Sequence, residues 1–144
     1  MTDIRPLDSH FAVAPQLSPD DLGPAAQAGY VALVNNRPDG EQPGQPEGAD
    51  MARVAAETGL DYRAIPVTHA GFSLPQVDAL VEVIEAANGP VLAYCRSGTR
   101  SANLWALARA RMGEDTEDLI AKANAAGYDL EPLRPLLDQM RAST

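Results

Sequence analysis

The sequence has one cysteine, Cys95, one lysine, Lys122, and two histidines, and aromatic residues make up only 5% of its 144 positions. A lone cysteine excludes an internal disulfide. A chain of this length can bury one core without covalent or metal staples; separately, no metal site and no cofactor are expected. No apolar run approaches the roughly 20 residues that span a bilayer. The opening Met1-Thr2-Asp3-Ile4-Arg5-Pro6 lacks the apolar centre of a secretory signal. The expected setting is cytoplasmic, where a free thiol stays reduced. Cationic charge is scarce as well: eleven Lys and Arg stand against twenty Asp and Glu, for a net charge of -9. That balance argues against nucleic acid as a partner, and no segment suggests a membrane. Any anion site must therefore be built locally from a few arginines.

The chain does have clear punctuation. Short apolar runs predict strands over residues 4–7 and 11–14, around an Asp8-Ser9-His10 turn in which His10 is read as an ordinary turn residue. Ser18-Pro19-Asp20-Asp21 combines a cap, an initial proline and an acidic first turn, which predicts a helix to about residue 28. A continuously apolar strand is expected over 30–34, the pattern of a strand covered on both faces. Residues 35–48 turn to Asn, Pro, Gly, Asp, Glu and Gln and form a long loop, a length that usually carries function. A helix over 49–58, a strand over 62–67, a loop over 68–72 and a helix from the Ser73-Leu74-Pro75-Gln76 capping box to about residue 87 follow. Strand 91–94 and helices over 101–111, 116–126 and 130–142 complete the chain. Alternating strands and helices predict one α/β domain spanning 1–144, with a mostly parallel central sheet and helices on both faces. Ligands of such sheets lie beyond the carboxyl ends of the strands, which brings residues 35–39, 68–72 and 95–101 to one crevice.

The most informative segment is Tyr94-Cys95-Arg96-Ser97-Gly98-Thr99-Arg100-Ser101, which joins a buried strand to a helix. A loop at this place can turn backbone N–H groups inward while the helix adds its positive end, making a cradle for an anion. The same field favours an accessible cysteine thiolate. Gly98 permits the tight turn, and Arg100 offers a planar fork to an oxyanion or a carboxylate. The alternative for Cys95 is a small hydrophobe closing a core strand. Arg96 is either a ligand contact or a solvated loop arginine.

These residues, together with Val34-Asn35-Asn36-Arg37-Pro38-Asp39-Gly40-Glu41, Ile65-Pro66-Val67 and Ala126-Gly127-Tyr128-Asp129-Leu130, resemble the phosphatase-like domain of bacterial beta-lactamase hydrolase-like proteins, relatives of the tyrosine phosphatases. The resemblance covers nearly the whole chain. It implies a cysteine-phosphatase-like α/β fold with Cys95 as nucleophile and Arg100 as oxyanion clamp, and it places Arg96, Ser97, Gly98, Thr99, Ser101 and Arg37 around the substrate. Tyrosine phosphatases set five residues between the cysteine and the arginine; Cys95 and Arg100 enclose four, the spacing of rhodanese-type sulfur transferases. Tyrosine phosphatases also take a proton for the leaving group from an aspartate on a preceding loop. In Thr68-His69-Ala70-Gly71-Phe72 that residue is missing.

His69 is one candidate for the acid, since imidazole titrates near neutrality, and an exposed loop histidine is the other reading of it. Asp39 is the second candidate, or else a cap of its own turn. Arg37 either contacts the anion or pairs with Glu41 or Asp39. Three functions stay open. The first is a cysteine-dependent phosphatase-like hydrolase acting on a small anionic substrate or a phosphorylated partner. The second is a sulfur transferase that passes the outer sulfur of a Cys95 persulfide to an external thiol or to a partner protein, which is persulfidated as a result. The third is an anion- or partner-binding module without turnover.

Overall fold

A computed structural model describes residues 3–142. Five strands form one sheet: β1 (Arg5–Asp8), β2 (Phe11–Ala14), β3 (Ala32–Asn35), β4 (Asp61–Ala64) and β5 (Val91–Tyr94). Their spatial order is β1-β2-β5-β3-β4, and only the edge pair β1–β2 is antiparallel. The mostly parallel sheet expected from the alternation of elements is therefore the one observed. β5 is central, hydrogen-bonded to β2 on one side and to β3 on the other. Every residue of β2, β3 and β5 is buried, which is why these runs, apart from Asn35 at the end of β3, are apolar and do not alternate.

Helices cover both faces. α1 (Leu22–Gln27) and α2 (Gly48–Thr58) close one side, where Leu17, Leu22, Leu33, Met51, Leu92 and Tyr94 pack together. α3 (Leu74–Ala86), α4 (Thr99–Arg111), α5 (Thr116–Ala125) and α6 (Arg134–Ala142) close the other, around a fully buried Trp105. Burying a side chain the size of Leu contributes roughly 1.5–3 kcal/mol, so these two layers hold the sheet and with it the position of every loop at its carboxyl edge. α4 is buried along most of its length, because it lies between α3 and α6 and leaves little polar face. Among the described residues, no helix is long and apolar enough to cross a membrane.

Several boundaries differ from the sequence expectation. The helix expected over 18–28 is a 3-10 turn at Pro19–Asp21 followed by α1, because Gly23 and Pro24 allow only a short α segment. The capping box at Ser18 is present: the Asp21 carboxylate accepts from the Ser18 N–H at 2.7 Å. The last helix is likewise split, with a 3-10 turn at Glu131–Leu133 ahead of α6. The strand expected over 62–67 ends at Ala64, although Ile65 and Val67 still donate to the Asn35 and Asn36 carbonyls at 2.9 Å.

Candidate active site

β5 ends at Tyr94, and the four residues Cys95 to Gly98 turn the chain into α4. Gly98 is the pivot. Its φ of +93° lies in the left-handed region, and a Cβ added there would overlap the hydroxyl of Tyr128. Only glycine fits on both counts. The turn brings the Gly98 N–H to 3.1 Å from Cys95 Sγ, while the Gly98 carbonyl accepts from Ala102 N–H as the first bond of α4. Ser97 Oγ braces the outer edge by accepting from Thr99 N–H at 3.3 Å and pairing with Thr99 Oγ1 at 3.0 Å. The Cys95 sulfur thus lies just ahead of the 13-residue α4, with one backbone donor aimed at it. One expectation changes: Cys95 is fully buried and not accessible. Arg96, Ser97 and Thr99 are the exposed rim.

Arg100 leaves α4 toward the long loop. Its Nη1 donates to Glu41 Oε2 and to the Val67 carbonyl, both at 2.7 Å, and its Nη2 donates to Glu41 Oε1 at 2.9 Å. Glu41 thus grips the outer end of the guanidinium. Of the five N–H donors, Nε–H and one Nη2–H remain, and these form the side-on edge that suits an oxyanion. Glu41 keeps Arg100 firmly protonated, and the Cys95 sulfur beside it adds to the effect. Glu41 Oε1 also accepts from Arg37 Nε at 2.9 Å. Arg37 is buried, and its other nitrogens donate to Gln16 Oε1 at 3.0 Å and Gln42 Oε1 at 3.1 Å. It is a pillar under Glu41, the pairing alternative of the two that its sequence left open. Two arginines share one carboxylate, so the cradle keeps a net positive field inside an acidic protein.

The Arg100 guanidinium, with Arg37 behind it and against the pull of partial burial, holds the Glu41 carboxyl down at about 2. An unfolded Glu titrates near ~4.3, so the folded state keeps this group ionised where the unfolded state takes up a proton. The stability it contributes is complete above about pH 5 and is lost as pH falls toward 2. Glu41→Gln should therefore melt below wild type at neutral pH and show a flatter melting curve against pH across that acid window. Parallel curves would remove Glu41 from the acid response.

The remaining candidates are spread around this centre. Ser101 is buried and donates to Asn36 Oδ1 at 2.8 Å; it faces inward, and Asn36 Nδ2 in turn donates to the Ile65 carbonyl at 2.9 Å. Asp39 Oδ1 accepts from Gly48 N–H at 2.8 Å and ties the long loop to the start of α2. His69 is exposed in the turn after Val67, the residue whose carbonyl holds Arg100. Sequence reasoning left out Gln16, Gln42 and Asn36, which carry Arg37 and Ser101, because isolated amides have no periodicity or spacing to mark them. A cleft of about 320 Å³ lies beside Arg37 and Asp39, walled by Asn35, Tyr62 and Pro66.

Residues 3–112 match the family model of the phosphatase-like domain of beta-lactamase hydrolase-like proteins. The beta-lactamase hydrolase-like protein of Xylella fastidiosa is 35% identical over 126 residues, 86% of this chain and 29% of that protein. The chain thus spans less than a third of the length of the curated relatives it matches. A crystal structure of a phosphatase candidate from Neisseria meningitidis is 37% identical, covers 96% of this chain and 98% of that one, and superposes with a TM-score of 0.82. Tk-PTP in its active form shares the fold at 15% identity and a TM-score of 0.77, covering 98% of this chain and 97% of its own.

Proposed function

The chain belongs to the family of phosphatase-like domains of beta-lactamase hydrolase-like proteins, and from that footing we propose that it is a cysteine-dependent hydrolase of phosphate monoesters. The observation that carries this is the convergence of a backbone N–H, the start of α4 and the Arg100 guanidinium on the one thiol in the chain. In the first step the Cys95 thiolate attacks phosphorus, an S–P bond forms and the P–O bond of the ester breaks. The loop amides and Arg100 hold the equatorial oxygens as charge redistributes. In the second step water attacks phosphorus, the S–P bond breaks, and inorganic phosphate leaves with the thiolate restored. A small anionic ester or a phosphorylated partner is the substrate class.

The loop of four residues between Cys95 and Arg100 favours a second reading, sulfur transfer, because a shorter ring of amides suits one terminal sulfur. One paired measurement separates the two: steady-state turnover of an aryl phosphate, and intact mass after incubation with thiosulfate. The expected result is phosphate release with no gain in mass. A gain of one sulfur without ester turnover would replace hydrolysis by persulfide transfer to an external thiol.

His69 is the proposed donor of the proton to the leaving oxygen, supported by its place two residues beyond the Val67 carbonyl that Arg100 holds. His69→Ala should slow hydrolysis of alkyl phosphates by on the order of 10²–10⁴-fold while sparing activated aryl esters, whose leaving groups depart without a proton. Equal loss on both ester types would make His69 a structural residue and Asp39→Asn the next variant to measure.

A further inference from the structure

We propose that Tyr128 is a positioning residue of the active-site loop, latching the Ser97-Gly98 peptide so that its N–H faces the Cys95 sulfur. This rests on Cys95 being the reacting group. The carbonyl of Ser97 and the N–H of Gly98 belong to one peptide plane and, the bond being trans, point in opposite directions. Tyr128 Oη donates to the Ser97 carbonyl at 3.4 Å, and on the opposite side of the same plane Gly98 N–H donates to Cys95 Sγ at 3.1 Å. Holding the oxygen on one side aims the hydrogen to the other.

The latch answers a specific weakness. Glycine pays little to change φ and ψ, so a peptide next to a left-handed Gly98 can rotate cheaply. Rotated by half a turn, it would withdraw the donor from the sulfur and direct a carbonyl dipole at the anion the cradle is built to hold. Tyr128 blocks this twice, by the hydrogen bond and by filling the space beneath Gly98, where its hydroxyl and Cζ occupy what a Cβ would need. Tyr128 is itself fixed. Its N–H donates to the Ala123 carbonyl at 2.9 Å at the end of α5, and Arg5 of β1 stacks over its ring at 5.6 Å while donating to the Ala126 carbonyl. Tyr128 follows α5 and lies beyond the stretch matched by the family model.

The test is Tyr128→Phe, which keeps the ring and removes only the hydroxyl, read by NMR on the Gly98 amide of nitrogen-labelled protein. In wild type that resonance should move on Cys95→Ser, since its acceptor changes. In Tyr128→Phe its hydrogen exchange should accelerate by roughly tenfold or more, while the Leu92 and Tyr94 amides of β5 keep their protection. Hydrolysis should fall with it, by up to about 10²-fold in kcat/KM, at a nearly unchanged melting temperature. A Gly98 amide with the same shift and exchange in wild type and Tyr128→Phe overturns the proposal, as does a wild-type resonance indifferent to Cys95→Ser. If the amide responds as expected but wild type releases no phosphate, the hydrolase reading fails and the role of Tyr128 stands.

Discussion

Cys95→Ser should abolish ester hydrolysis, a loss on the order of 10⁵- to 10⁶-fold in kcat. The groups around Sγ explain the size of the effect. Gly98 N–H, the start of α4 and the Arg100 guanidinium are all hydrogen-bond donors or positive ends of dipoles. They suit an anion at this position, and none of them can accept a proton. A serine hydroxyl holds its proton far more tightly than a thiol, and nothing at the position of Sγ is arranged to take it away. Anion binding should survive, because the donors remain and a neutral hydroxyl removes a competing negative charge. Titration calorimetry with inorganic phosphate should give an affinity at least equal to that of wild type. A serine variant that still turns over an aryl phosphate at a rate near wild type would place the nucleophile elsewhere and leave Cys95 as a core residue.

The extent to which this site could be read from the sequence depended on how local each piece is. Val91 to Tyr94, the breaker before them and Gly98 after them define strand, turn and helix within a dozen residues, and the strand is observed over the expected positions. The Ser73 capping box likewise marks its helix, with Ser73 Oγ accepting from Gln76 N–H and Gln76 Oε1 accepting from Ser73 N–H. Pieces that meet only through the fold gave weaker signals. Glu41 and Arg100 are 59 positions apart, and the bond between them follows from β3 and β5 lying side by side. Arg37 carried two readings until Glu41, Gln16 and Gln42 were in place around it, because a guanidinium in an acidic chain has many possible carboxylates. Asn36 and Ser101, separated by 65 positions, join inside the protein where no periodicity reports them. Burial of Cys95 was the least accessible fact of all. It depends on how the whole fold packs around the end of β5, which residue types alone do not fix.

Arg100→Lys should cost on the order of 10²- to 10³-fold in kcat/KM, the range for removing a well-placed donor to a developing oxyanion, although the charge is conserved. Three of the five guanidinium hydrogens are committed to Glu41 and to the Val67 carbonyl, and the side-on pair remains for the substrate. That division of labour needs a rigid plane with two faces of donors. An ammonium is a single point with three hydrogens at the end of a flexible stem, and it cannot hold a carboxylate on one edge while presenting two parallel N–H groups on another. Glu41, already drawn between two arginines and ionised far into acid, is a permanent partner and outcompetes a transient one. Lysine at this position should therefore settle on Glu41 and leave the oxyanion edge empty. Folding should be preserved, since the ion pair across the long loop survives, and the melting temperature should stay close to wild type. Phosphate affinity and kcat/KM should fall together, because the lost fork contacts the bound oxyanion as well as the transition state. If Arg96→Lys on the exposed rim loses as much as Arg100→Lys while both remain folded, the fork is not the clamp, and the positive field of the loop as a whole is what holds the anion.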